Sequence, residues 1–175
     1  MKKPSASMKE LLVMYEKMNI NPKGSSICAE IVLRHYRRLI WVSKNRATDV
    51  YGEASEISAS LHTTITSFID CAPDMMKDRL EDKIYSLFTT SEMVSALDMA
   101  MARLGAFPIN GKEYQDLLKR LYMTPEKLRV EAIAEVTQCT RSVIYQRRTE
   151  AIYAYGLILF GYIVPDMQMI LAAIA

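Results

Sequence analysis

With 175 residues, half of them apolar and 24% charged, the chain can bury a full core as one domain, or as a domain with an appended module, without help from disulfides or metal. A net charge of +2 neither demands nor excludes nucleic acid, so the placement of the cations has to decide. Three widely spaced cysteines (Cys28, Cys71, Cys139) and two histidines (His35, His62) argue against a disulfide framework and a zinc site, and free thiols favour a reducing compartment.

In chain order, SMKELLVMYEKM predicts a helix over 7–18, with Ser7 and Glu10 spaced as a capping box. NINPKG then stops it. Ser25 is placed to cap a second helix running to about Arg46, apolar through Cys28, Ile31, Val32, Leu39 and Val42. The rest of that helix is basic: Arg34, Arg37, Arg38, Lys44 and Arg46 are opposed only by Glu30, with Trp41 among them. The cluster could meet phosphates, anionic lipid or an acidic protein; the plainer reading is a solvated face whose stems cover apolar neighbours. Thr48 and Asp49 open a third helix, in which Ile57, Leu61, Ile65 and Phe68 recur at helical spacing until Cys71-Ala-Pro73. A fourth starts near Pro73, with Met76, Leu80, Ile84, Leu87 and Phe88 expected on its buried side. Val94, Leu97, Met101 and Leu104 stripe a fifth, which Gly105 stops. Asn110 and Glu113 form a second capping-box pair ahead of Tyr114, Leu117, Leu118, Leu121 and Tyr122, and Thr124-Pro125 marks another start. No alternating run of β-branched residues bounded by turns is present, so the expected fold is all-α, a multi-helix bundle.

The stretch from Leu128 to Tyr155 carries the strongest functional signal. Val130, Ile133 and Ala134 share one helical face, and Val143, Ile144 and Ala151 share another. Thr137, Gln138 and Cys139 interrupt the pattern, and the Thr140 hydroxyl can cap the second helix. This is the pattern of a helix-turn-helix: small Ala134 lets the helices approach, Cys139 is the small apolar residue of the turn, and Ile144 anchors the second helix from below. The outer face of that helix carries Arg141, Ser142, Tyr145, Gln146 and Arg148, with Arg147 beside them. From Thr140 to Thr149 there are three arginines and no acid. Arginine can pair with a guanine edge in two places, glutamine with adenine, and serine or tyrosine with phosphates or base edges in the major groove. The alternative is a helical hairpin that only packs.

Glu131-Ala-Ile-Ala134, then Thr140-Arg-Ser-Val-Ile-Tyr-Gln-Arg-Arg148, then Glu150-Ala151-Ile152 resembles the helix-turn-helix of sigma-factor region 4. More narrowly it resembles the C-terminal part of phage and prophage late transcription activators of the ArpU and RinA kind. The likeness covers about 40 residues, from Tyr114 to Tyr155, and departs at Ala132, where those families carry Glu, and at Gln138, where they carry Gly. A residue other than glycine in that turn has to tolerate a left-handed backbone, at a cost of roughly 1 kcal/mol, and a reshaped turn is the alternative. The resemblance implies promoter recognition and contact with RNA polymerase.

Beyond Tyr155 the helix is predicted to continue through GLILFGYIV to Pro165, and from Ala151 to Ala175 the only charged residue is Asp166. A membrane span needs about 20 uninterrupted apolar residues, and Pro165-Asp166 cuts this run, so a buried hairpin or a dimer seam is expected instead. The N-terminal MKKPSASMKELL has no apolar run after its lysines, so no secretion signal is expected and the cytoplasm is the expected location.

These readings divide the chain into an N-terminal assembly region (1–107), a helix-turn-helix module (108–164) and an apolar packing segment (165–175). No catalytic constellation is evident. The glycines are scattered, and Cys28 and His35, two helical turns apart, are some 10 Å apart by helical rise, too far for a nucleophile and its base. No enzyme activity, cofactor or metal is expected. The expected function is regulation of transcription by binding double-stranded DNA as a homo-oligomer, a dimer being favoured because two weak half-sites then bind as one. A phage DNA-packaging recognition subunit, or a helical adaptor that binds protein and not DNA, are the alternatives.

Overall fold

A computed structural model describes residues 4–45, 61–88, 91–126, 128–167 and 169. Among the described residues the regular structure is entirely helical. The elements are α1 (Ala6–Lys17), α2 (Pro22–Asn45), α3 (Leu61–Cys71), α4 (Lys77–Leu87), α5 (Ser91–Gly105), α6 (Gly111–Leu118), α7 (Val130–Thr137) and α8 (Arg141–Ile158). α6 and α8 each run on into one π-helical turn, Lys119–Met123 and Leu159–Ile163.

The bundle is built around the C-terminal half of α8. From Glu150 to Phe160 every residue except Tyr153 is buried, and α1, α2, α5, α6 and α7 all pack on this helix. A helix that is apolar on all sides has to be enclosed, and small residues let the neighbours come close. At Gly156 a Cβ would lie 2.9 Å from Ser25 Oγ and 3.0 Å from the Tyr15 hydroxyl, so only glycine fits where α1 and α2 cross α8. The described part of the apolar tail, up to Met167, thus lies in the centre of the chain's own bundle. One continuous core runs from Leu11 to Met167, drawing on every helix from α1 to α6 as well as α8. Among the described residues no helix is long and apolar enough to cross a membrane.

Several helix starts differ from the expectation for a local reason. α1 is capped by Ser5 rather than Ser7: Ser5 Oγ accepts from the Met8 N–H (3.1 Å) and donates to Glu150 Oε1 (2.6 Å). α2 begins at Pro22, with Asn21 Oδ1 accepting from the Gly24 N–H (2.9 Å), which leaves Ser25 inside the helix against Tyr15. Asn110 precedes α6 in a left-handed conformation (φ 50°) and makes no side-chain cap; its amide donates to Ser7 Oγ (3.3 Å) instead. Met76 stands outside α4 and is 75% exposed, whereas Leu80, Ile84 and Phe88 are buried as expected. Thr48, Asp49 and Ile57 lie outside the described residues.

Candidate functional site

α7 and the N-terminal half of α8 are joined by three residues, 138–140, and have a small core of their own. Ile133 and Ala134 of α7 meet Leu117 of α6 and Ile144 of α8, with Leu121, Leu128, Val130 and Cys139 packed around them. Ile133, Ala134 and Ile144 are positions that the sequence pattern assigned to the inner faces, and Leu117 adds α6 as a third wall. Val143, assigned to the same face as Ile144, is instead exposed, because it stands one residue round the helix from it.

The turn is closed by backbone chemistry. Gln138 takes the left-handed conformation (φ 52°, ψ 31°). That conformation costs a non-glycine residue about 1–2 kcal/mol, and the geometry recovers hydrogen bonds in return. The Cys139 N–H donates to the Ala134 carbonyl (3.0 Å) and the Gln138 N–H to that of Glu135 (3.3 Å), so the last carbonyls of α7 are satisfied in the manner of a Schellman motif. Thr140 is extended and its Oγ1 accepts from the Val143 N–H (3.4 Å), capping α8 as expected.

The six singled-out side chains divide into two groups. Arg141, Ser142, Tyr145 and Gln146 are exposed on the outer side of α8, with Tyr145 at 49% exposure. Gln146 also donates from Nε2 to Glu150 Oε1 (3.0 Å), which fixes its amide at the rim of the core. Arg147 and Arg148 are engaged by the rest of the molecule. Arg147 forms an ion pair with Glu113 of α6, and its Nη1 lies 3.9 Å from Cys139 Sγ. Arg148 is turned inward: Nε donates to the Tyr122 hydroxyl (2.9 Å) and Nη2 to Glu30 Oε1 of α2 (2.6 Å). The same Glu30 oxygen accepts from Arg34 Nη2 (2.6 Å). Burial alone would raise the Glu30 carboxyl, but the two guanidiniums outweigh it and hold the group below the usual carboxylate value. The Tyr122 phenol is raised, chiefly by burial.

Glu150 was missed as a structural residue. It is 5% exposed, and its carboxylate accepts from Ser5 Oγ, the Tyr114 hydroxyl (2.8 Å) and the Gln146 amide. It thereby ties α1 and α6 to the point on α8 where the exposed half passes into the core. The available signal was its position as the lone acid at the head of an apolar run. Glu30, the one acid noted on a basic helix, is the partner that orients Arg148.

A cleft of about 440 Å³ lies between α6, α7 and α8, with Lys112, Glu113, Asp116, Arg120 and Arg147 among its walls. Its charges largely answer one another, Lys112 with Asp116 (3.4 Å) and Arg147 with Glu113. Among the described residues no group of three or more His, Cys, Asp or Glu is placed to hold a metal. Cys28 is buried in the main core, and burial pushes its thiol up to about 12.

No family model, curated protein or solved structure matches the chain.

Proposed function

We propose that the protein is a DNA-binding regulator of transcription, of the phage or prophage type, in which α7, the 138–140 turn and α8 act as a helix-turn-helix. The observation that carries this reading is the combination of a left-handed Gln138, a Thr140 cap and a separate core of Leu117, Ile133, Ala134 and Ile144. Together they hold Arg141, Ser142, Tyr145 and Gln146 outward from the first turns of one helix. In a major groove Arg141 would read base edges, Gln146 would do so on releasing Glu150, and Ser142 and Tyr145 would meet phosphate or base. Arg147 would reach the backbone on releasing Glu113. Arg148, held by Glu30 and Tyr122, sets the orientation of α8 on this reading. Contact with RNA polymerase and pairing of subunits belong to the same proposal.

The test is fluorescence anisotropy of the purified protein with a pool of random duplexes at about 50 and 200 mM salt. Several phosphate contacts should lower affinity tenfold or more across that range, and selection from the pool would yield the site. No binding at the lower salt would leave the hairpin as a packing unit only.

A second reading, a protein-binding hairpin, is favoured by one observation: Val136 (68% exposed) and Val143 (37%) stand in the open on either side of the turn, beside exposed Glu135. Apolar residues of that kind in the open fit a protein partner better than a phosphate backbone. A partner that binds the protein, with no duplex binding at any salt, would establish it.

A further inference from the structure

The C-terminal half of α2 carries Arg34, Arg37, Arg38, Trp41 and Lys44 at spacings of three, one, three and three, which sets them along one side of the helix. Arg34, Arg37, Arg38 and Lys44 are exposed, and Trp41 is 67% exposed. At 1.5 Å rise per residue the row is about 15 Å long. Arg38 lies over the Tyr85 ring, 4.7 Å from its centroid, and Arg34 is paired with Glu30. Among the described residues Arg37 and Lys44 make no ion pair. The carboxylates that meet α2 elsewhere, Glu81 beside His35 (3.7 Å) and Asp98 bonded to Tyr36, face other sides of it.

This row is joined to α8. Arg141, Tyr145 and Arg148 are spaced i, i+4, i+7 and so share one edge of that helix. The edge ends where Arg148 and Arg34 meet on the same oxygen of Glu30, each at 2.6 Å. The exposed cations of α2 and the outer edge of α8 are thus tied together through Arg34 and Arg148 on Glu30, a carboxylate already shared by two guanidiniums. A carboxylate held this way fixes the angle between two basic surfaces and does little to repel an anion.

We propose that the exposed basic row of α2 is a second nucleic-acid contact, gripping the phosphate backbone of the same duplex whose groove α8 enters, with Glu30 setting the two helices in register. The inference rests on the DNA-binding reading. The occupant is chosen by charge complementarity and length. A B-form duplex presents one phosphate charge per about 1.7 Å of axis, so a row of about 15 Å can meet several, and flexible cations without base-reading geometry suit backbone contact.

The test compares the full-length protein with its Arg37→Gln/Lys44→Gln double variant, and separately with Arg141→Ala, in anisotropy titrations on the selected duplex from about 50 to 200 mM salt. Loss of two phosphate contacts should reduce the slope of log affinity against log salt by about two units, so the double variant's affinity should fall about tenfold less across the range than the parent's. Its sequence preference should be unchanged, whereas Arg141→Ala should relax that preference. Both replaced side chains are exposed and make no ion pair among the described residues, so the thermal midpoint should not move. A parent-like salt slope in the double variant would overturn the second contact while leaving the groove reading intact. A parent that binds no duplex would overturn both. Duplex binding at the parental slope, together with loss of binding to phosphatidylserine vesicles in the double variant only, would reassign the row to a lipid surface and equally overturn it.

Discussion

The two halves of α8 belong to one unbroken helix and live under opposite constraints. From Arg141 to Thr149 only Ile144 is fully buried, and it rests in a small core shared with Leu117, Ile133 and Ala134. From Glu150 to Phe160 almost every side chain is enclosed, in the large core that draws on six other helices. In the outer half Arg141, Ser142 and Tyr145 carry little of the fold, whereas Arg147 and Arg148 tie it to α6 and α2. The inner half fixes where the outer half points. A surface mounted on the central helix of a bundle inherits that helix's rigidity, which suits the groove-reading role proposed for it.

This contrast can be broken most severely from the inside. Leu157 is fully buried in the large core, and Leu157→Ala should lower stability by about 3–5 kcal/mol through lost burial and the cavity left behind. Ile144→Ala removes a similar volume from the smaller core and should cost less, about 2 kcal/mol, because that patch can collapse onto the space. Urea midpoints with hydrogen exchange separate the two: the first should loosen α1, α2 and α5 together, the second α7 and its turn alone. Equal loosening of the whole chain by both would show that the two cores act as one cooperative unit.

The seam between the halves ranks next. Glu150→Ala would leave the Ser5 and Tyr114 hydroxyls and the Gln146 amide without their acceptor, at a cost of about 1–3 kcal/mol. Glu150→Gln keeps one carbonyl oxygen and should recover part of that loss. If the alanine and glutamine variants melt together at the parental temperature, the carboxylate has no part in joining α1 and α6 to α8.

Helix type and inner faces were legible in the sequence wherever the cause was local. Leu80, Ile84, Val94, Leu97, Met101 and Leu104 recur at helical spacing and are buried. The capping hydroxyl of Thr140 and the left-handed Gln138 follow from a few adjacent residues, and both are in place. What could not be read had partners far along the chain. Arg148 looks like its neighbour Arg141 in sequence, yet Glu30, 118 residues away, turns it inward. Ser5 displaces Ser7 as the cap of α1 while also bonding to Glu150, 145 residues on. The apolar run after Tyr155 announced burial but not its place, since the same pattern serves a central helix, a hairpin and a seam between subunits.

The smallest expected effect, and the sharpest test of how α8 is held to α2, is the acid dependence of Glu30. Its carboxyl is below the ordinary glutamate value of 4.5 in the folded protein, because Arg34 and Arg148 outweigh the opposing effect of burial. A carboxyl depressed by folding contributes stability that is present above its unfolded value and is lost as pH falls through its folded value. Glu30→Gln should therefore be less stable than the parent near pH 6, and the difference should shrink as pH falls below the ordinary glutamate value of 4.5 and the parent's carboxylate gains its proton in turn. Urea midpoints across that range would measure it. The size should be modest, since Arg34 is 44% exposed and its share of the bond is screened by solvent. A difference that holds constant from pH 6 to pH 3 would mean that shape rather than charge seats Arg148. In that case Glu30→Gln should also keep the angle between α2 and the outer half of α8 and, on the proposed DNA-binding reading, the parental salt slope.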